Sequence, residues 1–248
     1  MLNSCKRDCF LSGNALKIIA AASMLIDHIG FMLFPRLTVL RIIGRLSFPI
    51  FAFMIAEGAA YTKNKLRYFL GIFILGTGCQ IVLSLFNSGA KLGALISFSI
   101  GIIGVFSLQY MKKVLFSEKF NPTKKLFAVL IFVFAVFGIY LLNEKVRIDY
   151  GFFGCIAPLS ASIFKADANC QNSFFKKLDN NFLNLLCFGI CTAFMNAYYG
   201  GIQHYAIFAL IPLAFYSGKR GKLKMKYFFY IFYPLHIALL EGIRILFF

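Results

Sequence analysis

Nine stretches of this chain are apolar, and the short connections between them are rich in lysine and arginine. They run over 14–34, 39–61, 66–86, 92–111, 126–143, 149–164, 181–198, 202–217 and 226–247. A helix needs about 20 apolar residues to cross the hydrocarbon core of a bilayer. Most of the nine meet that length, whereas the sixth and eighth are short and read as tilted, broken or partly re-entrant. Composition agrees: 60% of residues are apolar and only 14% charged, against about 45–50% and about 25% in a soluble domain. So few charges cannot clothe a soluble surface, which excludes a water-soluble enzyme, and the same figures exclude disorder. The expected fold is an all-α integral membrane protein, a single polytopic bundle of about nine helices over residues 1–248. Its expected location is the cell membrane, as a multi-pass protein in contact with lipid.

The net charge of +17 would suggest nucleic acid in a soluble protein. Here the cations follow the loops instead, and no nucleic-acid partner is expected. Alternate connections, at 6–7, 63–67, 112–125, 165–177 and 219–226, carry eighteen lysines and arginines; the other set carries four, Arg36, Lys91, Lys145 and Arg147. Cytoplasmic loops are enriched in these residues, so the asymmetry predicts a cytoplasmic N-terminus and supports the count of nine. Lys6 and Arg7 precede an apolar run with small residues at Ala20–Ala22, but the run continues to Phe34, and a retained first span is expected rather than a cleaved signal peptide. The seven cysteines show no paired CxxC spacing, which supports neither a zinc site nor a disulfide framework. No metal is expected.

Against this apolar background, ionisable residues inside spans are functional candidates, because each costs at least about 2.5–3.5 kcal/mol to insert. Asp27 and His28 are adjacent in the first span. An adjacent carboxylate suits a histidine acting as a general base. Neighbours on a helix point about 100° apart, so helices packed alongside could supply the partner of either one. The second span carries Arg41 and Arg45 on one face, followed by Pro49, which would kink or open the helix. At about 1.5 Å per residue, His28 and Arg45 each lie about 9 Å below the outer end of their spans. An Asp27–Arg45 or His28–Arg45 contact is therefore expected, while Arg41 has snorkelling to the interface as its plain alternative. A Lys17–Glu57 pair is expected near the cytoplasmic ends of the first two spans. His236 follows Pro234 in the last span, where Glu241 and Arg244 neutralise each other, and Asp149 reads as the N-cap of the sixth span.

The blocks LKIIAAASMLIDHIG, RIIGRLSFPIFAFMIAEG, DYGFFG, QHYAIFALIPLAFYSGKRG and YIFYPLHIALL occur in that order over nearly the whole chain. Together they resemble the TraX-like membrane proteins, similar in plan to larger multispan acyltransferases. The resemblance implies acetyl transfer from cytoplasmic acetyl-CoA, as cosubstrate, to an amine or hydroxyl acceptor. That acceptor could be a pilin N-terminus, a cell-envelope glycan or a small molecule. It assigns catalysis to His28 as base, with Asp27, Arg45 and His236. Donor binding would fall to Arg41, Lys219, Arg220, Lys222 and Tyr233, although positive-inside charge alone also explains the loop cations. The residues suit the chemistry, since acyl transfer needs a base and a donor for the developing oxyanion. A proton-coupled transporter or a non-catalytic membrane assembly or export factor is the competing reading. Oligomeric state, a homo-oligomer included, stays open.

Overall fold

The computed structural model describes residues 10–86, 92–166, 179–222 and 225–247. Lys6, Arg7, Lys91, Lys176, Lys177 and Lys224, which enter the charge count, lie outside them, as do Cys5 and Cys9. The described residues are helical in every apolar stretch. The helices are α1 Gly13–Met32, α2 Thr38–Gly44, α3 Ser47–Tyr61, α4 Lys65–Phe86, α5 Ala94–Leu115, α6 Pro122–Lys145, α7 Gly151–Ser160 and α8 Asn181–Tyr199. A 3-10 helix Gly201–Ala209, α9 Leu210–Ala214 and α10 Lys226–Phe247 complete the chain. Seven segments are long and apolar enough to cross a membrane: α1, α2 with α3, α4, α5, α6, α8 and α10. The sixth and eighth stretches form shorter apolar helices, Gly151–Ser160 and Gly201–Ala214.

Local chemistry sets the boundaries. Ser12 and Asn180 cap α1 and α8 by accepting from backbone N–H groups three residues on, and Asn121 does the same for α6 ahead of Pro122. The second stretch opens at Arg45 and Leu46, between α2 and α3, rather than at Pro49. Pro49 falls in the first turn of α3, where its missing N–H costs nothing. Asp149 is not the cap of α7; Tyr150 takes that place in left-handed backbone (φ +57), and no side chain caps the helix. Between α8 and the 3-10 helix, Gly200 and Gly201 hold φ of +63 and +56 in succession. Side-chain-bearing residues rarely adopt such values, and the pair makes the reversal tight.

α3 is the central helix, buried along nearly its whole length, and α6 is peripheral, with only Ala128 and Ile139 buried. Contacts at the helix ends sort the segments onto two ends of the bundle. At one end Leu11 pairs with Tyr216, Tyr216 donates to Glu57, Lys165 pairs with Glu57, and Lys112 donates to the carbonyls of Ser162 and Lys165. This is the basic end. At the far end Leu92 pairs with Ile148, and Arg45 reaches both Tyr150 and Gln203. The short eighth segment reaches from far end to basic end because a 3-10 helix rises about 2.0 Å per residue against about 1.5 Å in an α-helix. The short α7 is continued by turns at Ala161 and Ser162, both buried. Irregular backbone at membrane depth is tolerated where protein covers it.

Candidate functional site

Asp27 and His28 look in different directions from α1, as adjacent helical residues must. Asp27 faces α2. Arg45 Nη2 donates to both of its carboxylate oxygens at 2.7 Å, and Arg41 Nη1 adds a bond to Oδ2 at 3.3 Å. Arg45 then spends its other nitrogens: Nε donates to the Arg41 carbonyl at 3.3 Å, and Nη1 to Gln203 Oε1 at 3.3 Å and the Tyr150 hydroxyl at 3.4 Å. Every guanidinium nitrogen is committed, so Arg45 serves as a buried clamp. The approach of α1 to α2 depends on Gly44, since a Cβ there would occupy the space of the Asp27 carboxyl. Arg41 does not simply snorkel; besides Asp27 it covers the Phe31 ring, 4.9 Å from its centroid.

His28 faces α10. Its Nδ1 lies 2.8 Å from His236 Nε2, with the two rings nearly parallel (7°). His236 Nδ1 lies 2.7 Å from the carbonyl oxygen of Phe232. A carbonyl can only accept, so His236 Nδ1 carries the proton. In the neutral ring His236 Nε2 is then an acceptor, and His28 Nδ1 must donate to it. The chain of two bonds leaves the lone pair of His28 on Nε2. One backbone carbonyl thereby fixes the tautomer of a histidine on another helix.

A cavity of about 630 Å³ runs through the bundle between α1, α3, α4, α5 and α10. At the basic end its rim carries Lys17, Arg67 and Arg220, with Asn14 and Asn64. Deeper, the walls are Met54, Phe51, Ile72 and Tyr233, and furthest from the rim Leu75, Phe98 and Leu95. None of Asp27, His28, Arg45 and His236 lines it. Tyr233 does, and its ring lies 6.3 Å from that of His236, so the histidine pair stands directly behind one wall. Of the other predicted donor-binding residues, Arg220 lines the rim, whereas Lys219 and Lys222 are exposed beside it. The carbonyls of Lys219 and Arg220 accept from Gly13 and Asn14 at 2.8 and 3.0 Å, satisfying two otherwise unpaired N–H groups at the start of α1. Arg41 is at the opposite end from the rim, bound to Asp27, and does not line the cavity.

A second buried cluster lies at the basic end. Glu57 pairs with Lys165 at 2.5 Å and accepts from the Tyr216 hydroxyl at 3.1 Å. This replaces the expected Lys17–Glu57 pair: Lys17 lines the cavity, and the turn after α7 carries Lys165 to the carboxylate. Burial works against the Lys165 charge, but Glu57 wins and holds the ammonium above its ordinary range. Sequence reasoning missed Lys165, which it counted as a loop charge, and Gln203 and Tyr150, whose partner Arg45 lies more than a hundred residues away. Glu241 and Arg244 do pair, at 2.7 Å. His204 is exposed, and its carbonyl accepts from Asn196.

The TraX protein family matches residues 12–244, nearly the whole chain. The chain belongs to the TraX family. Across 245 residues, 94% of this chain and 96% of the other, it is 26% identical to a probable fimbrial assembly protein FimC, serogroup H1, of Dichelobacter nodosus. An uncharacterized protein of Rickettsia prowazekii (strain Madrid E) is 42% identical over 87 residues, 35% of this chain and a third (33%) of that protein's length. No solved structure matches. Within this TraX protein the histidine pair comes from the first and last of the sequence blocks that carry the family resemblance, and the Asp27 clamp from the first two.

Proposed function

We propose that this TraX protein is a membrane-embedded acyl-CoA-dependent acetyltransferase with His28 as general base. The observation that carries the reading is the hydrogen-bond order Phe232 O–His236–His28, which leaves Nε2 of the half-buried His28 unprotonated where α1 meets α10. Nε2 takes the proton of the acceptor amine or hydroxyl as that atom bonds to the acyl carbon. It returns the proton to the sulfur as the carbon–sulfur bond breaks. His236 positions His28 and carries no proton onward, because its second nitrogen ends at a carbonyl. The Asp27–Arg45 clamp holds the α1 turn bearing His28 against α2. The donor fits the cavity on the other side of the Tyr233 wall, where Lys17, Arg67 and Arg220 suit phosphates and the apolar neck suits a pantetheine arm; Tyr233 has to turn aside for the thioester to meet Nε2.

Nine crossings with a cytoplasmic N-terminus accompany this reading. The lysine-rich loops favour it, and so do the helix-end contacts at Leu11, Glu57, Leu92, Lys112, Tyr150, Lys165 and Tyr216, which fall on the ends that nine crossings require. The rim then opens to the cytoplasm, where acyl-CoA is found.

The name of the Dichelobacter relative favours a second reading, in which the protein assists fimbrial assembly without catalysis and its buried charges only hold helices together. Release of free thiol from acetyl-CoA by purified protein in lipid nanodiscs, with membrane extract as acceptor, separates the two. The expected outcome is release above the protein-free rate, lowered about 10²–10⁴-fold by His28→Gln in a folded protein. Glutamine keeps a hydrogen bond but cannot take the proton. Full activity in His28→Gln, or no release by the natural chain, overturns the catalytic reading.

A further inference from the structure

The cavity can be gauged along α3, which lines it from rim to neck. Tyr61 stands at the rim, Glu57 and Gly58 about one turn below, then Met54, then Phe51 beside Tyr233. From Tyr61 to Phe51 the helix rises about 15 Å, at about 1.5 Å per residue. In a pantetheine arm about twelve bonds separate the phosphate-bearing oxygen from the sulfur, and at about 1.2 Å of extended length per bond they span about 14 Å. An arm anchored by its phosphates at the rim cations therefore brings its sulfur to the depth of Tyr233.

At the level of Glu57 and Gly58 the wall is polar, and its two polar groups can only accept. Glu57 Oε1 accepts from Tyr216 and Oε2 pairs with Lys165, yet a carboxylate has about four lone-pair sites, so part of its capacity is open. The Tyr68 hydroxyl packs on Gly58, where a Cβ would displace it, and gives its proton to the Ile55 carbonyl at 3.0 Å. Its lone pairs are what it offers the cavity. Two acceptors at one depth suit a ligand that brings two donors close together. The pantoyl unit does so: its hydroxyl-bearing carbon lies about 3.5 Å and its amide nitrogen about 6 Å from the phosphate-bearing oxygen. Gly58 and Glu57 lie about 4.5 Å and about 6 Å below Tyr61. The second amide falls about 11 Å down, where Tyr230 lines the cavity one turn rimward of Tyr233.

We propose that Tyr68 binds the pantoyl hydroxyl and Glu57 the adjacent amide N–H, so that the donor is selected by this unit and its thioester is held at the depth of Tyr233. Thioesters without the unit forgo both bonds. The inference rests on the donor reading given above and names residues that set specificity at the same site.

The test is direct binding to the full chain in lipid nanodiscs of acetyl-CoA and two analogues. One has hydrogen in place of the pantoyl hydroxyl, the other an ester oxygen in place of the adjacent amide nitrogen. The natural chain is expected to bind the deoxy analogue about 2–10-fold more weakly than acetyl-CoA, and the ester analogue about tenfold or more, because its lost partner is charged. Tyr68→Phe should weaken acetyl-CoA by about 2–10-fold and leave the deoxy analogue unchanged. Glu57→Gln combined with Lys165→Met, which strands no charge, should close the gap between acetyl-CoA and the ester analogue. Equal binding of all three ligands by the natural chain, a comparison that needs no variant to fold, overturns the inference and leaves the donor reading standing. An equal loss of acetyl-CoA and deoxy analogue in Tyr68→Phe makes Tyr68 a packing residue and likewise overturns it. Absence of saturable acetyl-CoA binding overturns the donor reading itself.

Discussion

Replacing Asp27 by asparagine keeps the shape of the side chain and removes the carboxylate that is hydrogen-bonded to Arg41 and Arg45. Asp27 and Arg45 side chains are 13% and 10% exposed, and Arg45 touches both carboxylate oxygens at 2.7 Å. The variant leaves a guanidinium in the bundle whose hydrogen-bond partners, Gln203, Tyr150 and a backbone carbonyl, are all neutral, with Arg41 repelling it and Asp149 the carboxylate left nearby. Breaking a buried pair by removing one partner costs about 3–5 kcal/mol. Arg41→Gln should cost about 1 kcal/mol or less, because its bond is 3.3 Å long and the side chain 23% exposed. The decisive comparison is Asp27→Asn combined with Arg45→Met, in which no charge is stranded. That double variant should be more stable than Asp27→Asn alone, since an apolar replacement of a buried pair is often near neutral. Reversible unfolding in bicelles supplies the free energies. An Asp27→Asn variant within about 1 kcal/mol of the natural protein, or a double variant worse than the single, would refute the assignment of Arg45 as a charge held by Asp27.

Gly44→Ala should lower the melting temperature in detergent and reduce thiol release, because the added methyl meets the Asp27 carboxyl; an unchanged melt would mean that α1 and α2 are not in this contact. Lys165→Met should destabilise the chain more than Lys17→Met, since Lys165 is the partner of Glu57; the reverse order of melting temperatures would restore the Lys17–Glu57 pair. Lys17→Gln with Arg220→Gln should weaken acetyl-CoA binding, with a deficit that shrinks as salt rises; a deficit indifferent to salt would point to lost packing instead. Reporter fusions after Lys125 should read cytoplasmic, and a reading from the opposite side would overturn the orientation.

Apolar length and the placement of cations made the helices and their membrane setting legible from the chain alone, because a bilayer imposes one requirement on every residue along a span. Depth arithmetic also reached the Asp27–Arg45 contact, since consecutive antiparallel helices compare their residues level by level. Periodicity could not say that the eighth stretch winds as a 3-10 helix from Gly201, because that depends on the turn at Gly200 and on what packs against it. Nor could it find that Glu57 takes Lys165 rather than Lys17: both are single lysines at the same end, and only the path of the chain after α7 chooses. The histidine pair is the clearest division. Sequence supplied His28 and His236 as two costly residues at membrane depth. The tautomer that leaves the lone pair on His28 Nε2 came only from tertiary structure. It depends on a carbonyl of α10, a ring on the same helix and a ring on α1 meeting within hydrogen-bond distance, 208 residues apart along the chain.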